Sequence, residues 1–381
     1  MKILSGVSTA QDAAKALDEA TGSWAINGND IQFLIVFHST SQDPRKLAAE
    51  IKKRFPGVPS VGCTTAGEYL DGKRLTGSLV VSAVVSKEIR WAVAPVNELS
   101  KIDSERAAKV ALELSHRLGL TLENLDSKRH FCLGFFDGLS KKEERSAALL
   151  ADAFEGIPFL GGSAGDDLKF VNTFVMANGE CLSDAAVVVL GESSIPFHVI
   201  KHQHFLRSER DLVVTEVNVA ERKVLTFDGR PAAEAYARAL GLSIERLSPA
   251  VFSMHPLTFS CNNEVYVRSI QKAEADGSLV FYCAVEEGMV LEIANHLSME
   301  ETLRNDVEKV RKTLKRADWF IGCNCILRSL EASSKNYHDT LGKILSNNLA
   351  RQSIGFDTYG EQLNGLHINQ TLVGIVFGEA A

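Results

Sequence analysis

Three of the chain's ten histidines, His198, His202 and His204, fall within seven positions. The segment around them, residues 195–206, has the apolar content of a β-strand, in which side chains alternate between two faces. This alternation predicts all three imidazoles on one face, beside Ile200. Imidazole nitrogens next to an aliphatic floor suit a metal ion or a metalloporphyrin. The rest of the chain must then supply the pocket.

Composition excludes several classes of protein. The formal net charge of −7 argues against binding to nucleic acid or to an anionic membrane, since both require an excess of Lys and Arg. The sequence shows no signal-peptide pattern and no apolar run of membrane-spanning length, so we expect a cytoplasmic protein. Seven scattered cysteines suit reduced thiols. Without a Cys-x-x-Cys-His motif, any haem must be bound non-covalently.

A repeated pattern of strand, helix, strand, glycine-rich turn and strand organises the rest of the chain. It occurs at 31–37, 44–54, 55–68 and 79–85, and again at 130–136, 141–153, 154–166 and 185–190. Both copies contain Phe-x-Gly-(Val/Ile)-Pro-x-(Val/Leu)-Gly, which indicates an internal duplication. A third copy follows at 318–327, 339–349, 355–361 and 371–377. Because such a helix makes a parallel crossover, we predict an α/β fold with mixed sheets flanked by helices in a layered sandwich.

A different composition separates the second copy from the third. Strands are predicted at 212–217, 223–227, 265–270 and 279–285, with an Asp276-Gly277 turn that closes a hairpin. A helix is predicted over 232–240 and ends at Gly241. We therefore divide the chain into two α/β domains, 1–193 and 194–381.

Four motifs carry a family resemblance. They are Gly-Cys-Thr-Thr-Ala-Gly-Glu at 62–68, Gly-Gly-Ser-Ala-Gly-Asp at 161–166, Pro-Ala-x-x-x-Tyr at 231–236, and the long run from Thr to Thr at 358–371. With them the sequence resembles the FIST family, sensory proteins that have an N-terminal and a C-terminal FIST domain. The resemblance covers nearly the whole chain. Within the family, the sequence is most similar to the haem-binding nitric-oxide sensors of the NosP type.

The resemblance implies a function in signal transduction. Non-covalently held haem b would bind nitric oxide, and a conformational change would pass the signal to a separate histidine kinase, or to a diguanylate cyclase or phosphodiesterase of cyclic-di-GMP signalling in biofilm regulation. It implies no turnover, so the protein is expected not to be an enzyme. A homodimer is compatible with this function, and neither nucleic acid nor a membrane is an expected partner.

Histidine is the usual axial ligand of such a haem, in an apolar slot. We predict His204 as the iron ligand because an apolar pair follows it, with His202 as the alternative. Two imidazoles this close on one face cannot ligate opposite sides of one iron. His198 is expected to orient a ligand or a propionate. For each of the three, a surface strand that uses histidines for cross-strand pairing is the alternative interpretation.

Other side chains compete for these roles. Arg207 and Arg210 are candidates for the haem propionates, with a solvated loop as the alternative. His255 follows a methionine, and His/Met is a known haem ligand pair, although a turn before proline also explains it. His367 is predicted either to bind ligand or to form hydrogen bonds within the fold.

The sequence is compatible with two further functions. A FIST protein without haem could bind a small polar ligand such as an amino acid through backbone donors of the glycine-rich turns. A hydrolase could use Cys63, or Ser163 in the pattern Gly-x-Ser-x-Gly. That pattern requires a helix after the serine, and the sequence that follows it favours extended structure instead.

Overall fold

The computed structural model describes residues 1–25, 30–261 and 264–381. The chain forms two compact units. Unit 1 comprises Met1–His202, Leu303–His367 and Leu372–Ala381, and unit 2 comprises Gln203–Thr302 and Ile368–Thr371. Within the described residues, no helix is both long enough and apolar enough to cross a membrane.

Helices and strands occur along the whole described chain. The helices are α1 (Ala13–Thr21), α2 (Pro44–Arg54), α3 (Ser104–Arg117), α4 (Glu143–Ala153), α5 (Ala232–Leu240), α6 (Pro249–Met254), α7 (Met299–Thr313), α8 (Ile326–Ser334) and α9 (His338–Ile344). A single π-helical turn, Leu345–Leu349, continues α9. The first twelve strands are β1 (Ile3–Ser8), β2 (Phe33–His38), β3 (Ser60–Thr64), β4 (Glu68–Leu70), β5 (Lys73–Leu75), β6 (Leu79–Val84), β7 (Ile89–Asn97), β8 (His130–Phe136), β9 (Phe159–Ser163), β10 (Val175–Ala177), β11 (Glu180–Leu182) and β12 (Ala185–Ser193).

The remaining strands lie in the second half of the sequence. They are β13 (Phe197–His202), β14 (Phe205–Asn218), β15 (Lys223–Phe227), β16 (Arg230–Pro231), β17 (Leu257–Cys261), β18 (Glu264–Arg268), β19 (Ile270–Ala273), β20 (Leu279–Phe281), β21 (Val290–His296), β22 (Leu314–Cys325), β23 (Gln352–Thr358), β24 (Glu361–Leu363), β25 (Leu366–Ile368) and β26 (Leu372–Ala380). The predicted α/β fold with mixed sheets and flanking helices is confirmed.

Three structurally equivalent β-sheets correspond to the three sequence repeats. In each, a parallel pair of strands adjoins an antiparallel third strand, in the orders β6-β2-β3, β12-β8-β9 and β26-β22-β23. The local signals that predicted the crossover helices are present, since the Asp43 side chain accepts hydrogen bonds from the backbone of Arg45 and Lys46 and caps α2 as expected. The internal repeat is therefore a structural repeat.

The repeats exchange their hairpins in a cycle. After its parallel pair, each repeat forms a short hairpin that extends the sheet of another repeat. Strand β4 of the first repeat pairs with β23 of the third, β24 of the third pairs with β9 of the second, and β10 of the second pairs with β3 of the first. We call this arrangement the hairpin exchange. It joins the three sheets of unit 1 into one closed set of pairings.

Glycine is required where the parallel strands of each pair approach one another. A Cβ atom added at Gly161 would lie 1.8 Å from the carbonyl oxygen of Gly134, and one at Gly62 would lie 2.1 Å from that of Val36. Both contacts are with backbone, which cannot move aside as a flexible side chain can.

Substituting Gly161 by alanine is expected to lower the free energy of unfolding by about 3 kcal/mol, because the new methyl group must displace a central strand. Urea unfolding of the purified protein measures this. The control is Gly156→Ala, where nothing lies within 4 Å of the new Cβ but φ is +76°. The backbone strain there should cost only about 1–2 kcal/mol. A larger loss in the control would contradict the close-approach explanation.

Unit 2 contains one eight-stranded antiparallel sheet among its described residues, in the order β18-β17-β21-β14-β15-β20-β19, with β16 against β15. Its core packs Tyr236 of α5 and Phe252 of α6 against apolar strand residues such as Phe227. Helix α5 has the predicted bounds and ends at Gly241, whose φ of +70° is left-handed. The predicted hairpin through Gly277 is confirmed as β19 and β20.

The histidine segment is not one strand, and that prediction is wrong. Strand β13 ends at His202 and pairs with β26, whereas β14 starts at Phe205 and pairs with β21. The chain leaves one sheet and enters another at Gln203 and His204, so no continuous pleat passes through them. His198 and His202 share a face of β13, but His204 does not belong to it.

Candidate functional site

A cavity in unit 1 lies beside the parallel strands β22 and β23. Residues within 320–324 of β22 and within 353–355 of β23 contribute to its lining. Asn324 stands one residue before the end of β22, and Asp357 one residue before the end of β23. Helix α8 follows β22 directly and contributes Arg328 and Ser329, while Tyr69 comes from β4 through the hairpin exchange. The cavity has a volume of about 40 Å³.

Asp357 is completely buried, and its carboxylate joins three residues of the cavity lining, Tyr69, Asn324 and Ser329. Its Oδ1 accepts hydrogen bonds from Tyr69 Oη and Asn324 Nδ2, each at 2.7 Å. Its Oδ2 accepts from Arg74 Nε and Ser329 Oγ, each at 2.8 Å. Four donors thus occupy the four acceptor positions of one carboxylate.

Burial sets the protonation behaviour of this cluster. It raises the pKa of Asp357, while the Arg74 guanidinium and the hydrogen bonds from Asn324, Tyr69 and Ser329 act in the opposite direction. Burial also raises the pKa of Tyr69 well above its usual value, and the neighbouring Asp357 adds to the shift. Tyr69 is therefore a neutral hydroxyl that donates to the carboxylate.

Arg328 is the one charged residue of the cavity lining. Its side chain is 4% exposed, and Nη1 donates a hydrogen bond to Asn324 Oδ1 at 2.8 Å. Among the residues that the structure describes, its Nε and Nη2 have no hydrogen-bond partner. Burial lowers the pKa of this guanidinium, but arginine still remains protonated in proteins. A residue of the cavity lining therefore carries a buried cationic edge that no other described group hydrogen-bonds.

Most of the remaining lining is apolar, apart from Ser353 and His338. The apolar part is formed by side chains from β22, α8, α9, the π-helical turn and two further strands: Phe320, Ala332, Leu341, Leu345, Ile354 and Leu372. A small apolar chamber with a few convergent polar groups is the usual form of a small-molecule site.

The sequence matches two known protein domains. The FIST N domain matches residues 32–230, and the FIST C domain matches residues 232–364. The chain belongs to the FIST family. An uncharacterized protein of Methanocaldococcus jannaschii is similar to this FIST protein, with 23% identity over 390 residues that cover 90% of this chain and 73% of the relative. FIST domains indicate a sensory rather than a catalytic role.

The histidines of the predicted haem site have different environments in this FIST protein. His202, at the end of β13, is fully buried, and His198 on the same strand is half-buried, with its pKa lowered by burial. His204 is buried in unit 2, where its ring lies 4.3 Å from that of Phe205 and edge-on to His296 at 4.9 Å between centroids. None of these three histidines lines the cavity beside Arg328. Their assignment to haem iron stays a prediction.

His367 is hydrogen-bonded within the fold, which is the second of the two roles predicted for it. Its Nδ1 lies 2.9 Å from Nε2 of Gln362, which also donates to Ser163 Oγ at 3.2 Å. On the other side of the ring, Nε2 lies 4.0 Å from Glu143 Oε1. These contacts fix the ring in the interior of unit 1.

Neither candidate nucleophile has the surroundings that activate one. Ser163 is fully buried at the end of β9, and the segment after it enters the loop that precedes β10 instead of a helix, so the hydrolase elbow is not formed. Cys63 is also buried, and burial raises the pKa of its thiol well above the usual value. A nucleophilic cysteine requires the opposite shift.

A second, larger cleft lies in unit 2. Its volume is about 1000 Å³, and Arg207, Arg210 and His255 line it together with Leu240 and Ile293. Arg207, predicted to hold a propionate, is mostly exposed, and its Nη2 lies 3.5 Å from Glu292 Oε1. Burial lowers the pKa of His255, so its imidazole is neutral near pH 7. A third cavity, of about 470 Å³ and lined by Trp91 and Arg117, lies in unit 1.

The hydrogen-bonded cluster around Asp357 was not predicted from the sequence. Its members come from distant parts of the chain, and the strand pairing that brings Tyr69 to β23 has no local signal. One local signal was present in the sequence. Arg328 is the only charged residue of the largely apolar segment 325–330, which forms the start of helix α8. A charge at such a position is rare without a partner.

Proposed function

We propose that this FIST protein is a sensor that binds a small ligand in the cavity of unit 1 and passes the signal to a separate protein. The observation that carries the proposal is Arg328, a buried residue of the cavity lining whose Nε and Nη2 have no hydrogen-bond partner among the described residues. Glu331 and Glu361 favour its charge from a distance, but buried donors without acceptors are costly, and a bound ligand that accepts from them removes that cost. Ligand recognition explains its presence better than stability does.

The cavity also supplies a route for the signal. Residues of α8 and α9 form its wall, and Tyr69 and Gly72 of the first repeat reach it from the β4–β5 hairpin. A ligand that contacts both the helices and the hairpin would favour one arrangement of these elements over another. Such a difference in affinity is what shifts a conformational equilibrium. A histidine kinase or a cyclic-di-GMP enzyme is the proposed recipient.

The proposal predicts ligand-dependent stabilisation that depends on the cavity. We expect a screen of small polar metabolites to yield ligands that raise the thermal midpoint and slow amide exchange in α8 and α9. Ala332, 1% exposed, lines the cavity, so Ala332→Leu should fill it and abolish both effects. Ala108→Leu makes the same change at an exposed site on α3 and should leave both effects intact. Equal responses in the two variants would contradict this location.

A haem-based nitric-oxide sensor is the second candidate, and the cleft of unit 2 favours it. The cleft lies at the upper end of the usual range for ligand sites and combines a neutral imidazole, His255, with the guanidinium groups of Arg207 and Arg210. These residues fit a haem, with His255 toward the iron and the arginines toward the propionates. The haem would supply the iron that takes up nitric oxide. The Tyr236 hydroxyl donates to the His255 carbonyl at 2.6 Å and fixes the backbone there.

Absorbance spectroscopy tests this second candidate. After reconstitution with haem, the protein should show a Soret band that shifts when nitric oxide is added. Loss of the band in His255→Ala, with retention in His204→Ala and His202→Ala, would place the ligand in the cleft. Loss in His204→Ala alone would restore the assignment made from the sequence. A reconstituted protein without any Soret band would remove the haem function.

A further inference from the structure

We propose that the ligand of the unit 1 cavity is a short-chain aliphatic monocarboxylate, bound side-on by Nε and Nη2 of Arg328. This inference rests on the proposed sensory function and names the class of ligand. Three observations carry it: the Nε and Nη2 of Arg328, which have no hydrogen-bond partner among the described residues, the saturation of Asp357, and the size and lining of the chamber.

The geometry of Arg328 selects a planar anion. Nη1 is already committed to Asn324 Oδ1, and this leaves the Nε–Nη2 edge, whose two parallel N–H groups match the two oxygens of a carboxylate. Nearby, Arg74 pairs with Asp357 at 2.8 Å and Glu331 with Lys335 Nζ at 2.7 Å, while Glu331 and Glu361 also favour the charge on Arg328. With these acidic groups close by, a single guanidinium edge fits a monoanion and not a phosphate dianion.

The saturation of Asp357 argues against an amino acid. An α-ammonium group needs acceptors, and Asp357 is the buried carboxylate that the lining residues Tyr69, Asn324 and Ser329 contact. Each of its oxygens, however, already accepts two hydrogen bonds, from Tyr69 and Asn324 and from Arg74 and Ser329. Burying an ammonium group without acceptors is strongly unfavourable. The part of the ligand beyond its carboxylate must therefore be uncharged.

The remaining lining describes that part. Phe320, Leu341, Leu345 and Ile354 offer apolar surface, and the only further polar side chains among the described lining residues are the uncharged Ser353 and His338, whose pKa is lowered by burial. Since a water molecule needs at least about 10–15 Å³ measured in the same way, a chamber of about 40 Å³ holds only a few non-hydrogen atoms. Acids of roughly two to four carbons meet both requirements.

Calorimetric and thermal titrations of the full-length protein, in a chloride buffer free of organic acids, test the proposal. The probes are sodium acetate, propionate and butyrate, compared with glycine, alanine and inorganic phosphate at equal ionic strength. We expect saturable binding and a raised thermal midpoint with at least one monocarboxylate, and neither with the amino acids or phosphate. Arg328→Gln should weaken that binding at least about tenfold, whereas Arg351→Gln, at an exposed arginine, should leave it unchanged.

Arg328→Gln is also informative without ligand. Its unliganded form should still unfold in one cooperative thermal transition, so lost binding cannot be attributed to misfolding. Monocarboxylate binding that survives Arg328→Gln would overturn the proposal. Binding of amino acids or phosphate in place of monocarboxylates, with loss in Ala332→Leu, would overturn the ligand class and leave the sensory function standing. Failure of every small ligand would instead count against the proposed function itself.

Discussion

Replacing Asp357 by alanine is expected to lower the free energy of unfolding by roughly 3–5 kcal/mol, the cost of breaking a buried ion pair by removing one partner. The substitution deprives four donors of their acceptor at once, and one of them is the Arg74 guanidinium. It also removes the hydrogen bonds that join β23 to Tyr69 and Arg74 of the β4–β5 hairpin. Urea unfolding followed by circular dichroism measures the loss.

Two companion variants make this result interpretable. Asp357→Asn keeps the shape and one acceptor oxygen, so its loss should be smaller than that of the alanine variant. Asp18→Ala removes a carboxylate that also pairs with an arginine, Arg54, but is 69% exposed. Its loss should stay within about 1 kcal/mol, as for other surface ion pairs. A loss at Asp357 no larger than at Asp18 would show that the cluster adds little to the fold.

The free energy of unfolding should also depend on pH through Glu68, which is completely buried at the start of β4. Burial raises its pKa from 4.5 to about 7, although Thr65 and Ser78 donate hydrogen bonds to the carboxylate. Between these two pH values the folded state binds more protons than the unfolded state, so stability falls as pH rises. The total loss is roughly 3 kcal/mol, complete above about pH 7, while below pH 4.5 both states are protonated.

Comparison with Glu68→Gln isolates this effect, since glutamine imitates the protonated side chain at every pH. The stability of the variant minus that of the natural protein should rise from about pH 4.5 to about pH 7 and be constant on either side. Urea unfolding at half-unit intervals gives the curve. Glu113→Gln, at a side chain that is 50% exposed, provides the control for general effects of the substitution. A difference independent of pH would refute the raised pKa.

The sequence predicted those features of the fold that depend on local signals. Asp43 and Pro44 define the start of α2, Gly241 defines the end of α5, and the repeated Gly-Val/Ile-Pro motif located the parallel pairs. Each of these signals acts within a few residues. The fold class followed from them, because a helix between two buried strands makes a parallel crossover.

Features that depend on distant pairings were not predicted. The histidine segment alternates like one strand, and only its two different pairing partners show that it is interrupted before His204. The cavity combines side chains of β4, β22, β23 and α8, and nothing in the sequence near Tyr69 indicates that it lies against β23. Arg328 gave a usable local signal, but its meaning depends on Asn324 and on the chamber beside it.

The hairpin exchange has a consequence for synthesis on the ribosome. The β4–β5 hairpin emerges early, yet its partner β23 and the strand β26, which lies between β13 and β22, are among the last segments to be made. Until then, unit 1 exposes unpaired strand edges, which are sites of aggregation. The sheet of unit 2 is encoded within one continuous segment, 203–302, and can close earlier. A chain that stops a few dozen residues short would therefore complete that sheet and depend on chaperones for the rest.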